Sequence, residues 1–149
     1  MNETSDIAHI VQLAVAPVFL IAGVGAILNV VTTRLARIID RSRFLEGALK
    51  EKPEESDERR MRKELAALDR RMVLSQRAIY LCSLAALLIC VVIATLFLST
   101  LARLHFGALV AVMFVAAMIC LIGGLSLFLI EISIATRTLR VRAELFAKD

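Results

Sequence analysis

The stretch Asn29-Val30-Val31-Thr32-Thr33-Arg34-Leu35-Ala36-Arg37-Ile38-Ile39-Asp40-Arg41-Ser42-Arg43-Phe44-Leu45-Glu46 changes character at Arg34. Between Ile7 and Thr33 there is no Asp, Glu, Lys or Arg; beyond it, apolar and charged residues interleave at helical spacing. Such a segment leaves a membrane at Arg34 and carries on as an amphipathic, arginine-rich helix. The rest of the chain can be placed around that boundary.

Two more apolar runs follow, Ala78–Ala102 and Phe106–Ile130. Each is about 25 residues, and roughly 20 suffice to cross a hydrocarbon core about 30 Å thick. They explain why 59% of the 149 residues are hydrophobic, with a mean hydropathy of +0.79. Backbone polar groups in lipid must be satisfied within the segment, so apolar runs of this length become helices. The expected fold is an all-α integral membrane protein with three transmembrane helices. As one membrane domain it divides into a first span at about 7–33, a helical hairpin at 34–77, spans at 78–102 and 106–136, and a basic tail at 137–149. The first run does not read as a cleaved signal, because residues 1–6 hold Glu3 and Asp6 and no Lys or Arg.

Charge sets the expected orientation. Of 18 Lys and Arg, 13 lie between Arg34 and Arg77, four follow Ile130, one lies in the Ala102–Phe106 turn and none precedes Ile7. Basic short loops stay cytoplasmic, so the N-terminus is expected outside, with the connection and the C-terminus inside. The net charge of +4 is then a topology signal and gives no ground for nucleic-acid binding.

Helix 1 is expected from about Asp6 to Leu49, capped by Thr4, Ser5 or Asp6 and bent near Pro17. Its Ala22, Gly23, Gly25 and Ala26 allow close helix approach, either to helices 2 and 3 or to a second subunit. Beyond Arg34, Leu35, Ile38, Ser42, Leu45 and Leu49 fall on alternating three- and four-residue steps. Pro53 breaks the helix, Ser56 is the expected cap of the next one, and Met61, Leu65, Leu68, Met72, Ser75 and Ile79 repeat the spacing. Two such rows joined by a short break predict an antiparallel coiled-coil hairpin extending helices 1 and 2.

The run Ala16-Pro17-Val18-Phe19-Leu20, then Gly25-Ala26-Ile27-Leu28-Asn29 and Arg34-Leu35-Ala36-Arg37-Ile38-Ile39-Asp40-Arg41-Ser42-Arg43, resembles a bacterial domain-of-unknown-function family, number twenty-seven twenty-one. Its members are small three-helix inner-membrane proteins. The resemblance covers nearly the whole chain and implies a multi-pass protein of the bacterial inner membrane; it implies no activity.

Three groups of residues stand out as candidate sites. Asn29, Thr33, Arg37 and Asp40 or Arg41 form a polar stripe on helix 1. With Gly25 and Glu131 they are pore or interface candidates, the plainer reading being hydrogen bonds within one chain. Glu131 lies six residues before Arg137, about 9 Å deeper along a helix. An ionisable group inside a bilayer is a functional candidate; its structural alternative is a salt bridge to Arg34 or Arg77 with help from Asn29. Arg34, Arg37, Arg41, Arg43, Arg70, Arg71, Arg77, Arg137, Arg140 and Arg142 ring the boundary, where they can hold anionic lipid headgroups or a partner. Asp40 is placed to pair with Arg37 and Arg43 at three-residue spacing.

Cys82, Cys90 and Cys120 lie inside predicted spans and read as buried apolar thiols. His9 and His105, both expected at the outer face, are too weakly constrained to carry a metal or haem site. There is no nucleophile–base set, HExxH or glycine-rich phosphate loop, so neither catalysis nor a cofactor is expected. The leading functional reading is a homo-oligomeric, channel-like membrane protein with helix 1 at the axis and Glu131 supporting it. The alternative is a non-conducting accessory or scaffold subunit whose arginine-rich hairpin binds a partner or anionic lipid.

Overall fold

The computed structural model describes residues 3–51, 53–101 and 107–146, with side chains described at residue 12 and over 15–51, 53–99 and 107–136. The chain forms three α-helices: α1 (Glu3–Lys50), α2 (Glu55–Leu101) and α3 (Gly107–Phe146). Each holds a stretch long and apolar enough to cross a membrane. Several hydroxyls of these stretches turn back onto their own helix. Thr95 donates to the Val91 carbonyl at 2.7 Å, Ser133 to that of Leu129 at 2.9 Å and Thr136 to that of Ile132 at 3.1 Å. That is how a hydroxyl is accommodated where lipid offers it no partner.

The helix ends differ from expectation in two places. α1 begins at Glu3, three residues before the expected start at Asp6; the side chains of Thr4, Ser5 and Asp6 lie outside the described residues. α2 begins two residues earlier than a Ser56 cap requires: the Glu54 carbonyl accepts from Asp57 N–H at 3.0 Å and Glu58 N–H at 2.9 Å. Glu54 is therefore the boundary residue, directly after Pro53, which has no N–H to extend a preceding helix. Glu55, Asp57 and Glu58 in the first turn suit the positive end of the α2 dipole.

Contacts divide the chain into two compact units, and every helix contributes to both. Met1–Asn29 with Tyr80–Gly124 forms the first. Among its buried residues are Val24, Cys82, Ala85, Ile89, Val92, Ala117 and Leu121. At Gly123 a Cβ would stand 3.3 Å from Leu81 Cδ1, so the missing side chain lets α3 lie close to α2 there. Cys82 is buried as expected, but Cys90 is exposed and so faces outward from the bundle.

Val30–Ile79 with Leu125–Asp149 forms the second unit. Ile38 and Leu45 of α1 bury against Leu68 of α2, flanked by Met61, Leu65 and Met72. These are residues of the two expected rows. Ser42 interrupts the apolar row of α1 and is buried, its hydroxyl 3.4 Å from Glu46 Oε1.

Burial follows one rule along each helix. In α1 it recurs at Pro17, Val24, Val31, Ile38 and Leu45, every seventh residue; in α2 at Leu68, Ser75, Cys82 and Ile89, with Ala78, Ala85 and Val92 on the companion row; in α3 at Ala117, Gly124 and Glu131. A seven-residue repeat keeps one seam of a helix facing its neighbours over many turns. Truncating a seam residue leaves a cavity, so Leu45→Ala is expected to cost about 2–5 kcal/mol. Phe44→Ala, at a side chain 65% exposed, should cost well under about 1 kcal/mol. Thermal melts of the two variants in one detergent check this; equal losses would contradict the packing.

Candidate functional site: a carboxylate shared by two arginines

Glu131 stands at the C-terminal end of the apolar stretch of α3 and is 0% exposed. A lone ionised carboxylate in such surroundings is costly to bury. Two arginines from the other helices meet it. Arg71 of α2 donates from Nε at 3.0 Å and from Nη2 at 2.8 Å, both to Oε1. Arg34 of α1 brings Nη2 to 3.2 Å from Oε2. In the Arg71 contact two N–H groups converge on one carboxylate oxygen, a charge-assisted pair of hydrogen bonds. The Arg34 contact is a charge contact alone, because Oε2 accepts no hydrogen bond among the described residues.

Other features fix the geometry. Phe128 lies one helical turn before Glu131, and the Arg34 guanidinium sits over its ring, 5.7 Å from the centroid. A desolvated cation over an aromatic face gains about 0.5–2 kcal/mol. Arg34 Nε is buried with no hydrogen-bond partner among the described residues, as is the hydroxyl of Ser75, one turn along α2 from Arg71. The arginines are less enclosed than the acid: their side chains are 35% and 22% exposed for Arg34 and Arg71 respectively. The carboxylate is thus the sealed centre of the group and the guanidiniums form its rim.

The expected partner of Glu131 was Arg34 or Arg77; Arg34 takes part, and Arg71 stands where Arg77 was expected. Helix phase explains the exchange. Arg71 lies seven residues before Ala78, on the buried row of α2, whereas Arg77 lies off that row and is exposed. Glu131 itself shares a row with Ala117 and Gly124. Proximity to the apolar run had pointed to Arg77, and the repeat, followed through Ala78, Ala85 and Val92, would have pointed to Arg71. Phe128 had no sequence signal beyond its turn-spacing from Glu131.

The remaining candidates lie elsewhere. Gly25 and Asn29 fall in the first unit and Thr33 in the second, and all three are exposed. A Cβ built on Gly23 or Gly25 meets nothing within 4 Å, so these glycines are not used for close packing inside the chain. Arg37, Asp40, Arg43, Arg70 and Arg77 are exposed. Asp40 makes no ion pair with Arg37 or Arg43 among the described residues; it is Arg41 that is paired, with Glu64 of α2 at 2.8 Å. Arg41 also stacks on Phe44, 5.4 Å from its centroid. The side chains of His9, Arg137, Arg140 and Arg142, and all of His105, lie outside the described residues. Among those described, no three His, Cys, Asp or Glu side chains come together as metal ligands would.

Three long apolar helices, joined in one unit by a buried acid shared between two arginines, define a small multi-pass membrane protein. The chain matches the family described as "protein of unknown function (DUF2721)" over residues 14–141 and belongs to it. It matches no curated protein and no solved structure.

Removing the negative charge should leave two arginines facing each other around a neutral amide. Breaking a buried ion pair from one side costs about 3–5 kcal/mol, so Glu131→Gln is expected to lower the melting temperature in detergent sharply. Glu64→Gln, which breaks the more exposed pair to Arg41, should cost no more than about 1 kcal/mol. Circular-dichroism melts of both variants compare the two pairs. A Glu131→Gln protein as stable as the wild type would remove the ion group from any structural role.

Proposed function

We propose that this protein is a homo-oligomeric, channel-like protein of a bacterial inner membrane, in which copies meet on the Gly25–Asn29–Thr33 face of α1. The N-terminus lies outside, and the Arg34–Arg77 segment lies in the cytoplasm as an antiparallel coiled-coil hairpin. The ion group around Glu131 holds the cytoplasmic ends of the helices in register and takes no direct part in conduction.

The observation that carries this reading is the outward face of α1. Only 11% of its most apolar window is buried within one chain, against 22% in α2 and 17% in α3. That face presents the open Gly25 and exposed Asn29 and Thr33, where lipid-facing residues are ordinarily large and apolar. Small residues let helices of two subunits approach, and polar side chains hydrogen-bond across such contacts. Three helices enclose little by themselves, so a conduit requires several copies about an axis. The hairpin reading is supported by the Ile38–Leu45–Leu68 cluster and by the Arg41–Glu64 pair between α1 and α2. Cytoplasmic placement rests on the arginine count.

A second reading has one observation in its favour. Phe44 is 65% exposed on the charged extension of α1, flanked by Arg41 and Arg43. An aromatic anchor within basic surroundings suits a docking surface of an accessory subunit.

Mass measurement of the particle in nanodiscs separates the two. The oligomeric reading expects a single closed species of four or more copies, reduced to smaller species by Gly25→Leu. In liposomes, Asn29→Leu should cut ion flux by about tenfold or more by dewetting the axis. A wild-type particle of one or two copies would overturn this reading in favour of the accessory subunit.

A further inference from the structure

We infer that the Arg34–Arg71 rim of the Glu131 group is a binding site for the phosphate of an anionic phospholipid headgroup. The inference starts from charge. Among the described ion pairs, Arg41–Glu64, Arg59–Glu55 and Arg62–Glu58 are each one cation to one acid. At Glu131 two guanidiniums share one carboxylate, leaving one positive charge in excess in a partly desolvated place.

Geometry makes that excess usable. A surface arginine must give up rotamer freedom to clamp a phosphate, and that cost opposes binding. Here it has already been met. Arg71 is locked by its two hydrogen bonds to Oε1, and Arg34 is held between Glu131 and the Phe128 ring. Both guanidiniums keep N–H groups that Glu131 does not use, the Nη1 group of each among them. The sealed carboxylate lies behind the arginines, so an anion approaching their exposed edges meets the cations first. Arginine forks match phosphate oxygens.

Position then selects the source of the phosphate. Arg34 is the first charged residue after the apolar run of α1, and Glu131 the first after that of α3. This is the level at which headgroup phosphates lie when the three helices span a bilayer, and the inference rests on that spanning. Arg37, one turn farther along α1 and exposed, adds to the field drawing anionic lipid but lacks the carboxylate lock.

The test uses the full chain, delipidated in a mild detergent and titrated with phosphatidylglycerol, phosphatidylcholine or inorganic phosphate. Native mass spectrometry counts adducts and a thermal melt reads stabilisation. Phosphatidylglycerol should bind at least about tenfold tighter than phosphatidylcholine, as loss or gain of one charge-assisted contact produces. Inorganic phosphate at the same concentration should not displace it. Arg34→Gln keeps the Arg71–Glu131 fork and brings the group to one cation per acid, so it should abolish the preference; Arg37→Gln should change it less than about twofold. Arg34→Lys, which keeps the charge but not the fork, serves if Arg34→Gln does not fold, and should retain part of the preference. Equal binding of the two lipids, or equal losses from Arg34→Gln and Arg37→Gln, would overturn the site. Displacement by inorganic phosphate would overturn the lipid as its source. A chain that fails to enter bilayers at all would instead remove the membrane reading beneath it.

Discussion

A carboxylate that is fully enclosed must be matched by cations that reach it from other parts of the chain, and in this protein that requirement ties three helices together. Glu131 belongs to α3, Arg34 to α1 and Arg71 to α2. Each of the two contacts joins residues far apart in the chain, so neither forms until the two helices that carry it have packed together. The price of desolvating three charges makes such a group a poor source of raw stability. Its value is in fixing which residues face each other. An apolar seam tolerates a slip of one heptad; an acid that must meet a fork of two N–H donors at 2.8 and 3.0 Å does not.

Register matters here because the helices are long and their seam is repetitive. α1 and α2 run 48 and 47 residues, and burial returns every seventh residue through both apolar and charged segments. The forces behind that repeat change along the way. In the charged ends, around Ile38, Leu45 and Leu68, burial is driven by removing apolar surface from water. In the apolar stretches, lipid is as apolar as the seam. Close packing of small residues such as Ala85, Ala117 and Gly123 takes over there. The ion group sits within the unit that holds the water-driven part of the seam. There a polar group can be both enclosed by protein and near solvent at its rim.

Much of this was legible in the sequence. The three spans follow from runs free of charge, and the Leu35–Leu49 and Met61–Ile79 rows were readable because charged residues mark their opposite faces. The same repeat at Val24, Val31, Cys82 and Ile89 was not readable, since in an apolar run every face looks alike and periodicity loses its contrast. That blindness explains why Arg34 was expected beside Glu131 but Arg71 was not: without the phase of Ala78 and Ala85, nothing distinguished Arg71 from Arg77 except distance along the chain. The cap of α2 was misplaced for a different reason. Ser and Thr favour helix ends in general, but the position of Pro53 and the reach of the Glu54 carbonyl decide where α2 starts. Gly25 announced close packing as a small residue, and only the structure places it in open space.

The central claim is that Glu131 and Arg71 act as a pair and not as two separately useful residues. A double-mutant cycle with Arg71→Leu, Glu131→Leu and the double variant, read as unfolding free energy in detergent, addresses it directly. If the pair sets register, Arg71→Leu leaves the buried Glu131 with only its looser contact to Arg34 and Glu131→Leu leaves Arg71 without its acceptor, and the double variant is less destabilised than the sum of the two by at least about 1.5 kcal/mol. Losses that add to within about 0.5 kcal/mol would show that the two residues act independently, and would contradict the account.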